Sequence, residues 1–220
     1  MSMGLRLVLK EELNLVYLFL KLIIIKKLLK KIMSLKIFAG VAKGFSLATP
    51  RNLKIRPTTV QLRRKLFDSI QDMSDKTFID LCCGTGAMGL EALSRGVKHL
   101  IMLDTHIKLA DQNTKKLVDQ YKLKTSHEVQ KSDCIRWINS HLEYLTQEKP
   151  ILFFDPPYEK KDLYKSFMEL PLNEISSISI VEGCEQKTMR IAEFEKIFGP
   201  ADKSFRQGTS YFLLYRFDVR

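Results

Sequence analysis

The sequence predicts an α/β domain: a doubly wound, largely parallel sheet with an antiparallel last strand, preceded by a small hairpin and helix. Three observations predict it. From residue 77 onward, short runs rich in β-formers alternate with helical patterns, as parallel sheets covered by helices require. Gly84, Gly86 and Gly89 form G-x-G-x-x-G between the first of these runs and the helix after it. The final stretch, FRQGTSYFLLYRF, places Gly208 between two β-like runs with no helix, which reads as a hairpin closing the sheet.

The elements follow in order. LKIFAGVAKGFSL (35–47) has Gly40 and Gly44 between two short β-like runs and predicts a hairpin. TPRNLKIRP is a basic loop with a proline near each end. Thr58 or Thr59 can cap a helix reaching about Gln71, with Leu62, Leu66, Phe67 and Ile70 on one face. Strands are predicted at 77–81, 99–103, 127–129, 151–154, 178–181 and 211–215. Helices are predicted at 87–95, 107–122, 134–145, 160–169 and about 187–198. Three parts result: an extension at 1–34, a basic hairpin-and-helix unit at 35–72, and a catalytic domain at 73–220.

Charge divides the chain unevenly. The net charge is +11 over 220 residues. Residues 1–36 contribute +6, residues 37–67 contribute +7 with no acid among them, and residues 68–220 contribute −2. A basic patch that meets a polyanion, attached to a near-neutral domain, accounts for this distribution. Lys43, Arg51, Lys54, Arg56, Arg63, Arg64 and Lys65 make up the patch and read as contacts to a nucleic-acid backbone.

Cys82, Cys83, Cys134 and Cys184 show no metal-finger spacing, nor do the four histidines, so no metal is expected. Reduced, buried thiols fit a cytoplasmic protein. The apolar run within residues 13–33 is interrupted by Lys21 and is shorter than the ~20 residues of a membrane span, so no stable membrane association is expected. That segment reads as a basic amphipathic helix, a loosely ordered tail, or a stretch outside the natural protein, with translation starting at Met33.

Acids punctuate the strand ends. Asp80, Asp104, Asp133 and Asp155 each follow a successive β-run, and in an open parallel sheet those ends share one rim, where ligands bind. The glycines allow a tight turn and close approach to a ligand. Asp80 would repel a pyrophosphate but attract the ammonium of an amino-acid-bearing cofactor, which favours S-adenosylmethionine over a nicotinamide dinucleotide. Cys82 and Thr85 share that loop. Asp104 is placed to accept ribose hydroxyls, and Asp133, with the Cys134 N–H, to meet an adenine edge. A plain helix cap is the competing reading of Asp133.

The fourth run ends in Asp155-Pro156-Pro157-Tyr158. A carboxylate and a proline-fixed carbonyl can accept both hydrogens of an exocyclic base amine, and an aromatic ring can stack on a base drawn out of its helix. The chemistry suited to this group is methylation of that amine, a weak nucleophile that mainly needs positioning.

IFAGVAKGFSL, IRPTTVQLRRKLFDSI, FIDLCCGTGAMGLEALSRG, FFDPPY and FRQGTSYFLLYR occur in that order. From about Leu35 to Arg216 this resembles the bacterial family that methylates N2 of a guanine in 16S ribosomal RNA. The resemblance implies a class I, Rossmann-like methyltransferase fold and S-adenosylmethionine as donor. It also implies a 16S rRNA substrate within an assembling small subunit, and a cytoplasmic monomer. The sequence departs from the family at Cys82-Cys83-Gly84-Thr85-Gly86 and at Asp104, where glutamate is common. It also departs at Val60, Arg63 and Arg64, where acids flank an arginine. Competing readings are a DNA adenine-N6 methyltransferase, a nicotinamide-dependent oxidoreductase, and a non-catalytic RNA-binding assembly protein.

Overall fold

The computed structural model describes residues 17–25, 35–50, 57–70 and 72–217. The chain forms two compact units, Met1–Ser34 and Leu35–Arg220. In the first, residues 17–25 are helical and their large apolar side chains are exposed. The rest of the N-terminal extension lies outside the described residues. No described helix is long and apolar enough to cross a membrane.

The second unit opens with a tight turn closed by a bridge between Lys36 and Ser46, followed by helix α1 (Pro57–Ser69). Strand β1 (Thr77–Asp80) then leads to α2 (Ala87–Ser94), β2 (His99–Asp104), α3 (Lys108–Tyr121) and β3 (Ser126–Lys131). Helices α4 (Cys134–Ser140) and α5 (Leu142–Glu148) precede β4 (Ile151–Phe154). The chain continues through α6 (Lys161–Met168), α7 (Leu172–Ile175), β5 (Ile178–Cys184), α8 (Ile191–Phe198) and the hairpin β6 (Lys203–Gln207)–β7 (Ser210–Arg216). The sheet order is β3-β2-β1-β4-β5-β7-β6, with β1 to β5 parallel and β7 antiparallel to β5. The order reverses between β1 and β4, where Asp80 pairs in register with Phe153. A doubly wound sheet opens a crevice at that point.

Successive strand residues face opposite layers. Phe78, Met102, Phe153 and Phe212 belong to one core, and Ile79, Leu103, Phe154 and Leu213 to the other. The first core also takes Ile37, Phe45 and Leu47 of the hairpin and Leu62, Leu66, Phe67 and Ile70 of α1. The segment read as a unit of its own at 35–72 therefore has no separate core; it packs on the same sheet face as α2 and α3.

Its docking is polar as well. Glu91 of α2 has no exposed surface; its carboxylate accepts the Phe38 and Ala39 N–H groups at 2.8 and 3.1 Å and pairs with Arg95 at 2.9 Å. The Ser94 hydroxyl donates to the Ala39 carbonyl at 2.6 Å and accepts the Ala42 N–H at 2.9 Å. Gly40 sits at φ 76° against the Ser94 carbonyl.

One predicted element is divided. The helix expected over 134–145 breaks at His141, which has φ −124°. The imidazole stacks on Trp137, and its Nδ1 lies 2.8 Å from the Trp137 carbonyl. It thereby takes the place of the main-chain N–H, which turns to Ile138 instead.

Candidate active site at the carboxyl rim of the sheet

Asp80, Asp104 and Asp155 stand at the carboxyl ends of β1, β2 and β4, three strands adjacent in the sheet. A cavity of about 480 Å³ opens over them, lined also by Gly84, Thr85, Tyr158 and Glu182. A second cavity of about 290 Å³ adjoins it, sharing Cys82, Asp104 and Pro157, and reaches Asp133 and Cys134.

The glycine loop is built around these acids. Gly84 and Gly86 have φ 53° and 80°, a left-handed conformation that favours glycine. The Gly84 N–H donates to Asp104 at 2.9 Å, and the Gly89 N–H to Asp80 at 3.0 Å. Buried Asn113 of α3 donates from its amide to the Thr85 carbonyl at 2.9 Å, and exchanges hydrogen bonds with the main chain of Ala48. The turn is thus held from the strand below, the helix behind and the segment that follows the hairpin.

Asp80 is 1% exposed, and its second carboxylate oxygen, Oδ1, has no partner. Burial, with smaller contributions from Asp155 and Asp104, raises its pKa to about 7. An unpartnered buried carboxylate oxygen is costly, and a bound cation relieves the cost. Asp133 caps α4, accepting the Arg136 N–H at 2.9 Å through Oδ1. The cap reading of Asp133 is what the structure displays, and the residue still borders the smaller cavity. Cys82 and Cys134 approach to 3.9 Å between their sulfurs in that wall. Among the described residues no His, Cys, Asp or Glu cluster is arranged to hold a metal.

The Asp155-Pro156-Pro157-Tyr158 segment leaves β4 and crosses toward β5. The buried Tyr164 hydroxyl lies 3.1 Å from the Glu182 carbonyl and 3.3 Å from the Pro156 carbonyl, tying the two strand ends together. Glu182, on β5, is only 6% exposed yet lines the larger cavity. Burial raises its pKa to about 7. Burial and the Glu182 carboxylate push Asp155 well above the usual carboxylate range. Phe154 of β4 pairs in register with Val181 of β5, so Asp155 and Glu182, the next residue of each chain segment, stand side by side on the cavity wall. The Tyr158 hydroxyl also reaches Glu182, at 3.4 Å.

Glu182 and Tyr164 escaped the sequence reading. The signal for Glu182 was present: it is the acid near the end of the fifth β-run, 27 residues after Asp155, in register with the other acid tips.

The basic patch divides. Lys43, Arg64 and Lys65 are exposed, and Arg64 makes only a loose surface pair with Asp68 at 3.7 Å. Arg51, Lys54 and Arg56 lie outside the described residues. Arg63 corrects the expectation. It is 3% exposed and donates to the Lys36 carbonyl at 2.6 Å, with its guanidinium 4.3 Å over the Phe38 ring. Its charge is felt by Glu91 and Glu182 inside the protein, so it does not stand on a face open to RNA phosphates. Strand β6 supplies basic groups that the reading missed: Lys203 and Arg206 are exposed beside α1, where Lys203 donates to the Ser69 carbonyl at 3.3 Å.

A family model described as "Conserved hypothetical protein 95" matches residues 35–200. The chain belongs to this family. It is 32% identical over 130 residues to "Putative rRNA methyltransferase YlbH" of Bacillus subtilis (strain 168), covering 59% of this chain and 70% of that protein. It is 29% identical over 131 residues to Ribosomal RNA small subunit methyltransferase D of Escherichia coli (strain K12), covering 57% of this chain and 61% of that protein. The match therefore spans only part of each relative's length. A solved structure, "Putative methyltransferase yhhF from Escherichia coli", shares the fold with a TM-score of 0.60 at 23% identity, covering 83% of this chain and 97% of that one. The likeness is one of fold, a seven-stranded sheet in which β7 runs antiparallel to its neighbours.

Proposed function

We propose that this family member transfers a methyl group from S-adenosylmethionine to the exocyclic N2 of a guanine in 16S ribosomal RNA, within an assembling small subunit. The carrying observation is one rim with two chemically distinct ends. At one end a buried carboxylate oxygen of Asp80 lacks a partner; at the other, Asp155, Glu182 and Tyr158 converge on a pocket rich in acceptors. The relatives named as rRNA methyltransferases support the same reading.

The residues present fit the donor. Asp80 would receive its ammonium, Asp104 its ribose, and the cavity wall at Asp133 and Cys134 its adenine. When bound, S-adenosylmethionine supplies an electrophilic methyl group on a sulfonium. The chain positions the acceptor. Asp155 and the Pro156 carbonyl take the two amine hydrogens, and the Tyr158 ring stacks on the base. As the nitrogen gains its methyl group it loses one proton, and the Asp155 carboxylate, with its raised proton affinity, accepts it.

Cofactor affinity should depend on pH through Asp80. Its folded-state pKa, about 7, exceeds the ordinary 3.8, so the empty folded state binds this proton more tightly than the unfolded chain does. The stability it contributes is present at low pH and is lost as pH rises through about 7. An ammonium partner favours the ionised form, so S-adenosylmethionine affinity should rise about tenfold per pH unit below that pKa and level off above it. Calorimetry across neutral pH checks this; in Asp80→Asn the affinity should be weaker and its pH dependence flattened.

RNA affinity should rest on the exposed cations. Lys65→Ala should weaken binding of small-subunit rRNA whatever its sequence, and lower the slope of log affinity against log salt by about one contact. Filter binding over a salt series reads the slope.

Mapping rRNA methylation in a strain lacking the gene tests the whole assignment. One N2-methylguanosine in 16S rRNA should disappear and return when the gene is restored. An unchanged methylation map contradicts the assignment.

A further inference from the structure

The Asp155-Pro-Pro-Tyr158 segment suits any exocyclic base amine, because accepting two amine hydrogens does not distinguish guanine N2 from adenine N6. We propose that Glu182 makes that distinction: its carboxylate accepts the N1–H of the target guanine while Asp155 accepts a hydrogen of the neighbouring 2-amino group. The inference rests on the guanine-N2 reading and deepens it.

The geometry supports the role in three ways. Glu182 lines the same cavity as Asp155 and Tyr158, is almost wholly buried, and its carboxylate lies 3.4 Å from the Tyr158 hydroxyl. Asp155 and Glu182 follow Phe154 and Val181, which pair in register on adjacent strands, and this places two carboxyl groups side by side on one wall. Guanine presents a matching pair of adjacent donors, N1–H and the 2-amino group, whereas adenine presents an unprotonated N1 beside its amine. A carboxylate facing that N1 lone pair would be repelled. Buried Arg63 lies close enough for its charge to favour the ionised form of Glu182. This gives the arginine a use inside the site that its place in a basic stretch did not suggest.

The chemistry is a matching of hydrogen-bond donors to acceptors. Sites built to bond a particular N–H reject analogues lacking it by large factors, because a buried acceptor is then left unpaired. 2-Aminopurine is the decisive probe: it keeps the 2-amino group but carries no hydrogen on N1.

The test uses the full chain and small subunits reassembled from 16S rRNA with either guanosine or 2-aminopurine at the nucleotide mapped above. The readout is kcat/KM for methyl incorporation. Wild type should prefer guanosine by at least about 100-fold. In Glu182→Gln the amide can turn its NH₂ toward the bare N1, so activity on guanosine should fall by about 10- to 100-fold while 2-aminopurine holds or improves, and the preference collapses. Glu182→Asp keeps a carboxylate and should retain the preference at lower activity. It carries the test if the glutamine variant fails to fold. Equal use of both bases by wild type overturns the proposal, as does an equal loss on both bases in Glu182→Gln. If wild type methylates neither particle, the guanine-N2 reading itself is what has failed.

Discussion

Asp155→Ala should abolish methyl transfer, by about 1000-fold or more, and leave S-adenosylmethionine affinity within a few-fold of wild type. The division follows from the rim. In the proposed assignment Asp80, the glycine loop and Asp104 take the cofactor, whereas Asp155, Tyr158 and Glu182 take the base. Under the proposed mechanism, removing the carboxylate takes away the acceptor that aims the amine and the group that receives its proton. The variant should not unfold. Asp155 is held at a cost, from burial first and the neighbouring Glu182 carboxylate second, which its raised proton affinity expresses, and truncation relieves both. Stopped-time methylation assays and calorimetry on one preparation separate the two effects. Near-normal turnover would remove Asp155 from the mechanism.

Gly40→Ala should be the most damaging small substitution in the hairpin. Gly40 adopts φ 76°, which an alanine resists, and a Cβ there would lie 1.8 Å from the Ser94 carbonyl oxygen. Backbone cannot yield as a flexible side chain does, so the turn must lift. Lifting it breaks the Val41 N–H bond to Ser94 and loosens the Ala39 and Ala42 bonds around α2. A loss of about 3 kcal/mol or more is expected, lowering Tm by roughly 10 °C for a domain of this size. Gly44 provides the control: its left-handed φ is 88°, but nothing lies within 4 Å of the added carbon. Gly44→Ala should cost only the backbone strain, about 1 kcal/mol. Equal effects at the two positions, read by thermal unfolding, would contradict this account of the docking.

The acid-tipped strands were legible because a parallel sheet turns sequence order into spatial order: each strand end returns to the same rim. Arg63 was misread for an identifiable reason. Counting charges over 37–67 says nothing about direction, whereas the helical period does. Arg63 lies three and four residues before Leu66 and Phe67, so it shares their buried face, while Arg64 and Lys65 point away. Glu182 was missed although it follows the ISIV run as the other acids follow theirs, because no glycine loop or proline turn marks that strand end as a site. The break at His141 depends on an imidazole competing with its own main chain for the Trp137 carbonyl, a local choice that apolar periodicity does not encode.

The identity of the atom that receives the methyl group separates the guanine-N2 reading from its rivals. The most direct measurement is nucleoside mass spectrometry of 16S rRNA from gene-deficient cells after reaction, as small-subunit particles, with the purified chain and S-adenosylmethionine. A gain of N2-methylguanosine alone is expected, absent with Asp155→Ala. A gain of N6-methyladenosine, or no gain in any nucleoside, would contradict the guanine-N2 reading.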